Sequence, residues 1–250
     1  ARFRGHLVEG AVAYYQATGK DKLLRAAARF ADYIEARFGP EDGKCKGYPG
    51  HEIAEMALVR LYEVTGEEKY LKLSKFFVDQ RGQKPFYFAM EDKARAEKEG
   101  RKWRGDPNDG SSYHQAHKPV REQDEAVGHA VRAVYLYSGM ADVARLTQDE
   151  ALLAACERLW DNIVRKKLYV TGGIGGTVHG EAFSYEYDLP NDAAYSETCA
   201  AIGLAFFARR MLQIRPDSKY GDVMEMALYN TVLSGMALDG KSFFYVNSHS

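Results

Sequence analysis

Apolar residues recur every three or four positions through most of the chain, the period of an amphipathic α-helix. The pattern predicts helices over 5–17, 21–37, 52–64, 68–80, 122–137, 149–166, 199–213 and 218–235. Stop signals follow several of them, at Thr18-Gly19, Thr65-Gly66 and Ser138-Gly139. A glycine after the last turn adopts the left-handed conformation that ends a helix most easily. Charged residues open the next helix, as in Lys20-Asp21-Lys22 and Glu67-Glu68-Lys69.

These elements form an irregular repeat of helix pairs. Gly5-His6 leads to Thr18-Gly19, Gly50-His51 to Thr65-Gly66, and Gly128-His129 to Ser138-Gly139, and a second helix follows each. Stacked pairs can build an open solenoid or a closed ring. Two long interruptions, 83–120 and 168–195, favour the ring, because solenoid repeats are more even. Loops of that length in a compact domain are commonly functional. The second is rich in Tyr and Phe, which argues against disorder. The expected fold class is all-α, and the final run, 243–250, reads as a strand.

Composition narrows the function classes. A formal net charge of −1 gives no basic field for nucleic acid or an anionic membrane. No apolar run is long enough to span a bilayer. The 17 tyrosines suit pockets for polar ligands, although helix packing accounts for most tyrosines equally well. Three widely spaced cysteines, Cys45, Cys156 and Cys199, do not form a disulfide framework, so a reducing, cytoplasmic setting is expected. The chain opens on Ala1-Arg2-Phe3-Arg4, with no signal peptide and with helical patterning already present by Leu7; it is expected to begin inside a longer protein.

Several residues could carry chemistry. Gly173-Ile174-Gly175-Gly176 invites a nucleotide-loop reading, but no amphipathic helix follows to supply the N-terminus that would hold a phosphate. Those glycines fit close backbone approach better. Glu181 follows Gly180 and precedes Phe183, Tyr185 and Tyr187. Aromatic surroundings would strip its hydration and raise its pKa toward that of a general acid; a solvated loop carboxylate is the equal alternative. Glu197 and Cys199 offer an oxygen and a sulfur that both suit zinc, but two donors do not make a site. A capping Glu and a buried Cys are the commoner outcome. His6, His51 and His129 share one place in the repeat, and in a ring they would converge on one mouth. Glu225, within an apolar helix, and Tyr245, in the last apolar run, face either solvent or a cavity.

The segments Gly47-Tyr48-Pro49-Gly50-His51-Glu52, Pro119-Val120-Arg121-Glu122-Gln123, Gly128-His129-Ala130-Val131-Arg132-Ala133, Thr171-Gly172-Gly173-Ile174-Gly175, Tyr187-Asp188-Leu189-Pro190-Asn191, Glu197-Thr198-Cys199-Ala200 and Leu228-Tyr229-Asn230 resemble, in order, glycoside hydrolase family 127, the β-L-arabinofuranosidase-type enzymes. The resemblance runs over nearly the whole chain. It implies an (α/α)6 barrel, here incomplete: residues 1–250 would be part of the catalytic domain, without the first barrel helices and the β-sandwich domains that follow. It implies retaining hydrolysis of terminal β-L-arabinofuranosides. The acid/base falls on Glu181, two zinc ligands on Glu197 and Cys199, and sugar contacts on His6, His51, His129, Glu225 and Tyr245. The family completes its zinc site with an adjacent Cys-Cys pair, one thiolate of which is the nucleophile, and this sequence contains no such pair.

Expected partners are therefore a carbohydrate and, at most, a second copy of the chain, with Zn2+ as cofactor of the complete enzyme. The fragment alone is expected to be inactive. The competing readings are another (α/α)6 sugar enzyme, an epimerase or unsaturated-uronyl hydrolase, and a non-catalytic carbohydrate-binding helical fragment.

Overall fold

The structure is a computed structural model that describes residues 5–247. The opening Ala1-Arg2-Phe3-Arg4 and the end of the 243–250 run lie outside those residues. Among the described residues there are nine α-helices: α1 Gly5–Thr18, α2 Lys22–Glu35, α3 Ala54–Thr65, α4 Glu68–Gln80, α5 Tyr87–Lys98, α6 Ala130–Thr147, α7 Glu150–Lys166, α8 Thr198–Ile214 and α9 Ser218–Met226. Extended pairing among them is limited to isolated bridges. The chain divides into two compact units, Ala1–Val120 and Arg121–Ser250.

In the first unit α1 packs on α2, α3 on α4, and α1 on α3. Its core is built from Val8, Val12, Leu58, Leu61, Tyr70 and Phe77, apolar residues on helices that the sequence pattern predicted. Gly66 closes α3 in the left-handed conformation, at φ 73°, as expected of Thr65-Gly66. α1 and α3 start side by side: a Cβ on Gly5 would lie 2.7 Å from the Ile53 side chain. α5 is a helix that the sequence pattern misses. Only Ala96 is buried in it, and its charged residues Glu91, Asp92, Lys93 and Arg95 hide the apolar period.

In the second unit α6 packs on α7, α8 on α9, and α6 on α8. α7 buries one stripe, including Leu152, Cys156, Leu159, Trp160 and Ile163, whereas α6 is buried almost all round. α6 and α8 approach closely at Gly203, where a Cβ would strike Val134 and the Tyr135 ring. Trp160, fully buried, meets Phe207 and Tyr220 edge-on. Cutting such a side chain back to Ala costs about 3–5 kcal/mol.

Three boundaries differ from the sequence pattern. α6 begins at Ala130 rather than at 122, and it runs through Ser138-Gly139 to Thr147. Gly139 is buried inside the helix, so packing overrides its weak propensity. The stop is Gln148, left-handed at φ 55°. α9 ends at Met226 and continues as a π-helical turn, Ala227–Val232. Loop 171–172 docks there: Thr231 Oγ1 donates to Thr171 O at 2.6 Å, and Gly172 lies against the Ala227 backbone. The described part of the final run makes only single bridges, Met236 with Phe243 and Glu197 with Val246.

Candidate active site

Three segments of the second unit bring carboxylates and an imidazole together. The first is the entry to α6. Gly128, at φ 74°, turns the chain so that His129 occupies the N-cap position with extended backbone. The second is the loop 177–183. Thr177 and Ala182 exchange backbone hydrogen bonds at 3.2 and 3.1 Å, which closes a tight turn with Gly180 at φ 73° and Glu181 at φ 53°. A non-glycine residue in this region costs about 1–2 kcal/mol, so surrounding contacts must hold it there. His129 bridges Ala182, and Phe183 N–H donates to Gly128 O at 2.9 Å, which joins the two segments.

A buried lysine ties the same segments from below. Lys167 Nζ donates to Ala126 O at 2.8 Å and to Ser184 O at 2.9 Å, and pairs with Glu125 at 2.8 Å.

The third segment is the entry to α8. Ser196 N–H donates to Gly175 O at 2.9 Å, and Gly173 lies so close to the Ser196 hydroxyl that a Cβ there would collide with it. The glycine run thus permits close backbone approach, as its sequence suggested. Tyr245 and Asn247 flank the other side: Thr198 N–H donates to Tyr245 O at 3.0 Å, and Asn247 N–H to Ser196 O at 3.1 Å. Glu197 occupies the N-cap position of α8 with extended backbone, but its side chain caps nothing.

The result is a compact cluster. Glu181 Oε2 lies 2.9 Å from His129 Nε2, and the Tyr195 hydroxyl donates to Glu181 Oε1 at 3.0 Å. Donor atoms of His129, Glu181 and Glu197 all fall within 4.8 Å of one another. Glu197 is 2% exposed. Neither of its carboxylate oxygens, both sealed from solvent, makes a hydrogen bond of regular geometry. Tyr245 and Cys199 are its polar neighbours.

The electrostatics follow from burial. Desolvation lowers the His129 pKa, helped by the nearby Arg132 charge and opposed by Glu181, so the ring favours its neutral form. Desolvation raises the Glu197 pKa. The Cys199 thiol is pushed up to about 12 by burial and by Glu197. Tyr195 is likewise pushed up to about 12 by desolvation and its bond to Glu181, and Tyr245 is raised, first by Glu197.

The other expected site residues are placed as follows. His6 and His51 belong to the first unit, at the adjoining starts of α1 and α3. His6 is exposed, with its pKa lowered by partial desolvation, and His51 is half-buried. The segment carrying His51 is anchored by a fully buried Arg81, which bonds Glu52 at 2.9 Å, Glu55 at 3.1 Å and Pro49 O at 2.7 Å. Glu225 is on the exposed side of α9. The aromatic surroundings expected of Glu181 do not form as written: Phe183 is buried, but Tyr185 and Tyr187 are largely exposed. The ring that reaches Glu181 is Tyr195, which sequence reasoning missed. Ser196, at φ 36°, breaks the alternation that would have linked Tyr195 to Glu197, so no local signal marked it.

Comparison with known proteins decides the family. The family model described as β-L-arabinofuranosidase, GH127 catalytic domain, matches residues 3–250. The chain belongs to this family. A non-reducing end β-L-arabinofuranosidase of Bifidobacterium longum subsp. longum is 47% identical over 98% of the chain and 37% of its own length. The crystal structure of a GH127 β-L-arabinofuranosidase from Geobacillus stearothermophilus T6 is 55% identical and superposes with a TM-score of 0.92, over 98% of this chain and 38% of that one. The chain therefore spans a little over a third of the length of these GH127 relatives. At 12% identity, cellobiose 2-epimerase from Bacillus thermoamylovorans B4167 gives a TM-score of 0.58 over 98% of this chain and 63% of that one, which shows the fold alone. That fold is all-α, of the (α/α)-barrel type.

Proposed function

We propose that the chain is part of the catalytic domain of a zinc-dependent retaining glycoside hydrolase that releases terminal β-L-arabinofuranose. The observation that carries this reading is the cluster itself: Glu181, held at both carboxyl oxygens, beside a buried Glu197 whose oxygens have no regular hydrogen bond. Family membership and the activity named for the Bifidobacterium longum relative supply the reaction class.

Glu181 is the acid/base. Its carboxyl donates a proton to the glycosidic oxygen as the leaving group departs, then accepts one from the water that completes hydrolysis. His129 Nε2 holds Oε2 while this proton moves, and its neutral ring avoids fixing the carboxyl as a permanent ion pair. Retaining glycosidases commonly pair the acid/base with a second carboxylate nucleophile. Glu197 is a poor one here, because burial disfavours its charge.

The residues present fit a zinc ion instead. A buried carboxylate lacking regular hydrogen bonds and an adjacent thiol are zinc donors, and a cation would relieve the desolvation of both. Glu197 and Cys199 would hold the ion, with the remaining ligands supplied by residues other than the 250 of this sequence. When bound, zinc would keep a ligating cysteine deprotonated at neutral pH, and the nucleophile would be such a thiolate among the ligands not found in this sequence. His129, Glu225 and Tyr245 would contact the sugar. A reducing, cytoplasmic setting, which keeps Cys199 free, belongs to the same reading.

The test is turnover of an aryl β-L-arabinofuranoside by the complete enzyme. A chelator should abolish it and zinc restore it. Glu181→Gln should lower it by about 10²–10⁴-fold. Normal turnover by that variant would overturn the assignment. The 250-residue chain alone should show no turnover, and measurable activity would point to a nucleophile inside it.

A further inference from the structure

The carboxyl of Glu181 needs orienting by something other than its own rotamer. The terminal torsion of a glutamate is broad and roughly two-fold, so the plane of the carboxyl is set by its partners. The turn beneath it gives little help, because the backbone at Gly180 and Glu181 is left-handed. Two partners meet the carboxyl from different segments. His129, from the entry to α6, takes Oε2, and Tyr195, from the segment before α8, takes Oε1 at 3.0 Å. One partner alone would leave the carboxyl free to turn about a single contact. Two define its plane.

We propose that Tyr195 is a positioning residue of the acid/base, its hydroxyl holding Glu181 Oε1 so that the carboxyl presents its proton to the leaving oxygen. The inference rests on Glu181 being the acid/base. Tyr195 is not required to touch the sugar: its hydroxyl is committed to the carboxylate, and a tyrosine hydroxyl carries one donor proton. Its segment is also fixed independently of Glu181. The neighbouring Ser196 is bonded through its N–H to Gly175 and through its carbonyl to Asn247. The phenol therefore approaches Glu181 from a backbone held by other bonds.

The experiment compares two β-L-arabinofuranosides in the complete, zinc-loaded enzyme: an aryl glycoside with a good leaving group, and an alkyl glycoside whose departure requires protonation. Tyr195→Phe removes the hydroxyl and keeps the ring. A misaligned acid costs about 10–100-fold where protonation matters. The expected result is a loss of that size in kcat/KM for the alkyl substrate and a loss below about threefold for the activated aryl substrate. Glu181→Gln is measured beside it and should show the same asymmetry in larger degree. Equal losses on both substrates, or a rise in KM common to both, would make Tyr195 a structural or sugar-contacting residue and overturn the inference. Asymmetry in Glu181→Gln without asymmetry in Tyr195→Phe overturns the role of Tyr195 alone. Absence of asymmetry in Glu181→Gln overturns the acid/base reading on which it stands.

Discussion

Replacing Glu197 by Gln should stabilise the metal-free chain at neutral pH, although it removes a residue assigned to the site. The carboxylate is 2% exposed and neither oxygen is regularly hydrogen-bonded. Burial raises its pKa above the ordinary value of 4.5. The folded chain therefore holds this proton more tightly than the unfolded chain does. The resulting stability is fully present below about pH 4.5 and is lost as pH rises through the raised pKa. At pH 7 the folded state must either bury a charge or hold a proton against the solution, and a neutral amide of the same shape does neither. An unsatisfied buried polar group costs about 1–3 kcal/mol, and more when charged.

The gain expected for Glu197→Gln is thus about 1–3 kcal/mol at pH 7, or roughly 2–4 °C of melting temperature per kcal/mol for a chain of this size. The gain should shrink toward zero near pH 4.5. In the complete enzyme, which supplies the remaining ligands, zinc should reverse the order at pH 7. Ligand at 100 times its Kd stabilises the native state by about 2.7 kcal/mol, and only the wild-type chain retains the carboxylate donor. Thermal unfolding followed by circular dichroism at pH 4.5 and 7, with chelator and with zinc, reads all four states. A Glu197→Gln chain that melts lower than wild type at pH 7 with chelator, or a Glu197→Gln complete enzyme that gains as much from zinc as wild type, would refute the reasoning.

Three further substitutions test the scaffold, each read by chemical denaturation. Lys167→Met leaves the Ala126 and Ser184 carbonyls without their donor and should cost about 2–4 kcal/mol; a loss under about 0.5 kcal/mol would show that the lysine does not tie the two loops. Arg81→Met removes the guanidinium facing Glu52 and Glu55 and should cost about 3–5 kcal/mol. Burial already raises the Glu55 pKa against the pull of Arg81, so this deficit should be larger at pH 7 than at pH 5, and the opposite order would contradict the assignment. Gly172→Ala forces a side chain onto a residue at φ 85°, 2.8 Å from the Ala227 backbone, and should cost about 2–4 kcal/mol; a neutral effect would mean that the loop can move away from α9.

Periodicity located most of the helices because each buries a stripe on its neighbour, as α7 does with Leu152, Cys156 and Ile163. It failed where tertiary packing decides. Gly139 reads as a stop but sits inside α6, which is buried on nearly every side. α5 buries only Ala96 and so carries little period to detect. At the site, Glu181, Glu197 and Cys199 were visible as residue types in suggestive company, and the family motifs gave them roles. The bland reading of Glu197 as a helix cap was half right: it occupies the cap position, but its side chain makes no cap bond. Tyr195 and Lys167 could not be read ahead of the fold. Their partners lie 14 and up to 42 residues away, and only the docking of loops brings them together.

The central claim is that Glu181 is the acid/base of a retaining arabinofuranosidase. The most direct measurement uses Glu181→Ala in the complete enzyme, with an activated aryl β-L-arabinofuranoside and added azide. The small anion needs no general base, so it should restore turnover and give β-L-arabinofuranosyl azide with the configuration retained. Turnover that azide does not restore, or a product of inverted configuration, would contradict the account.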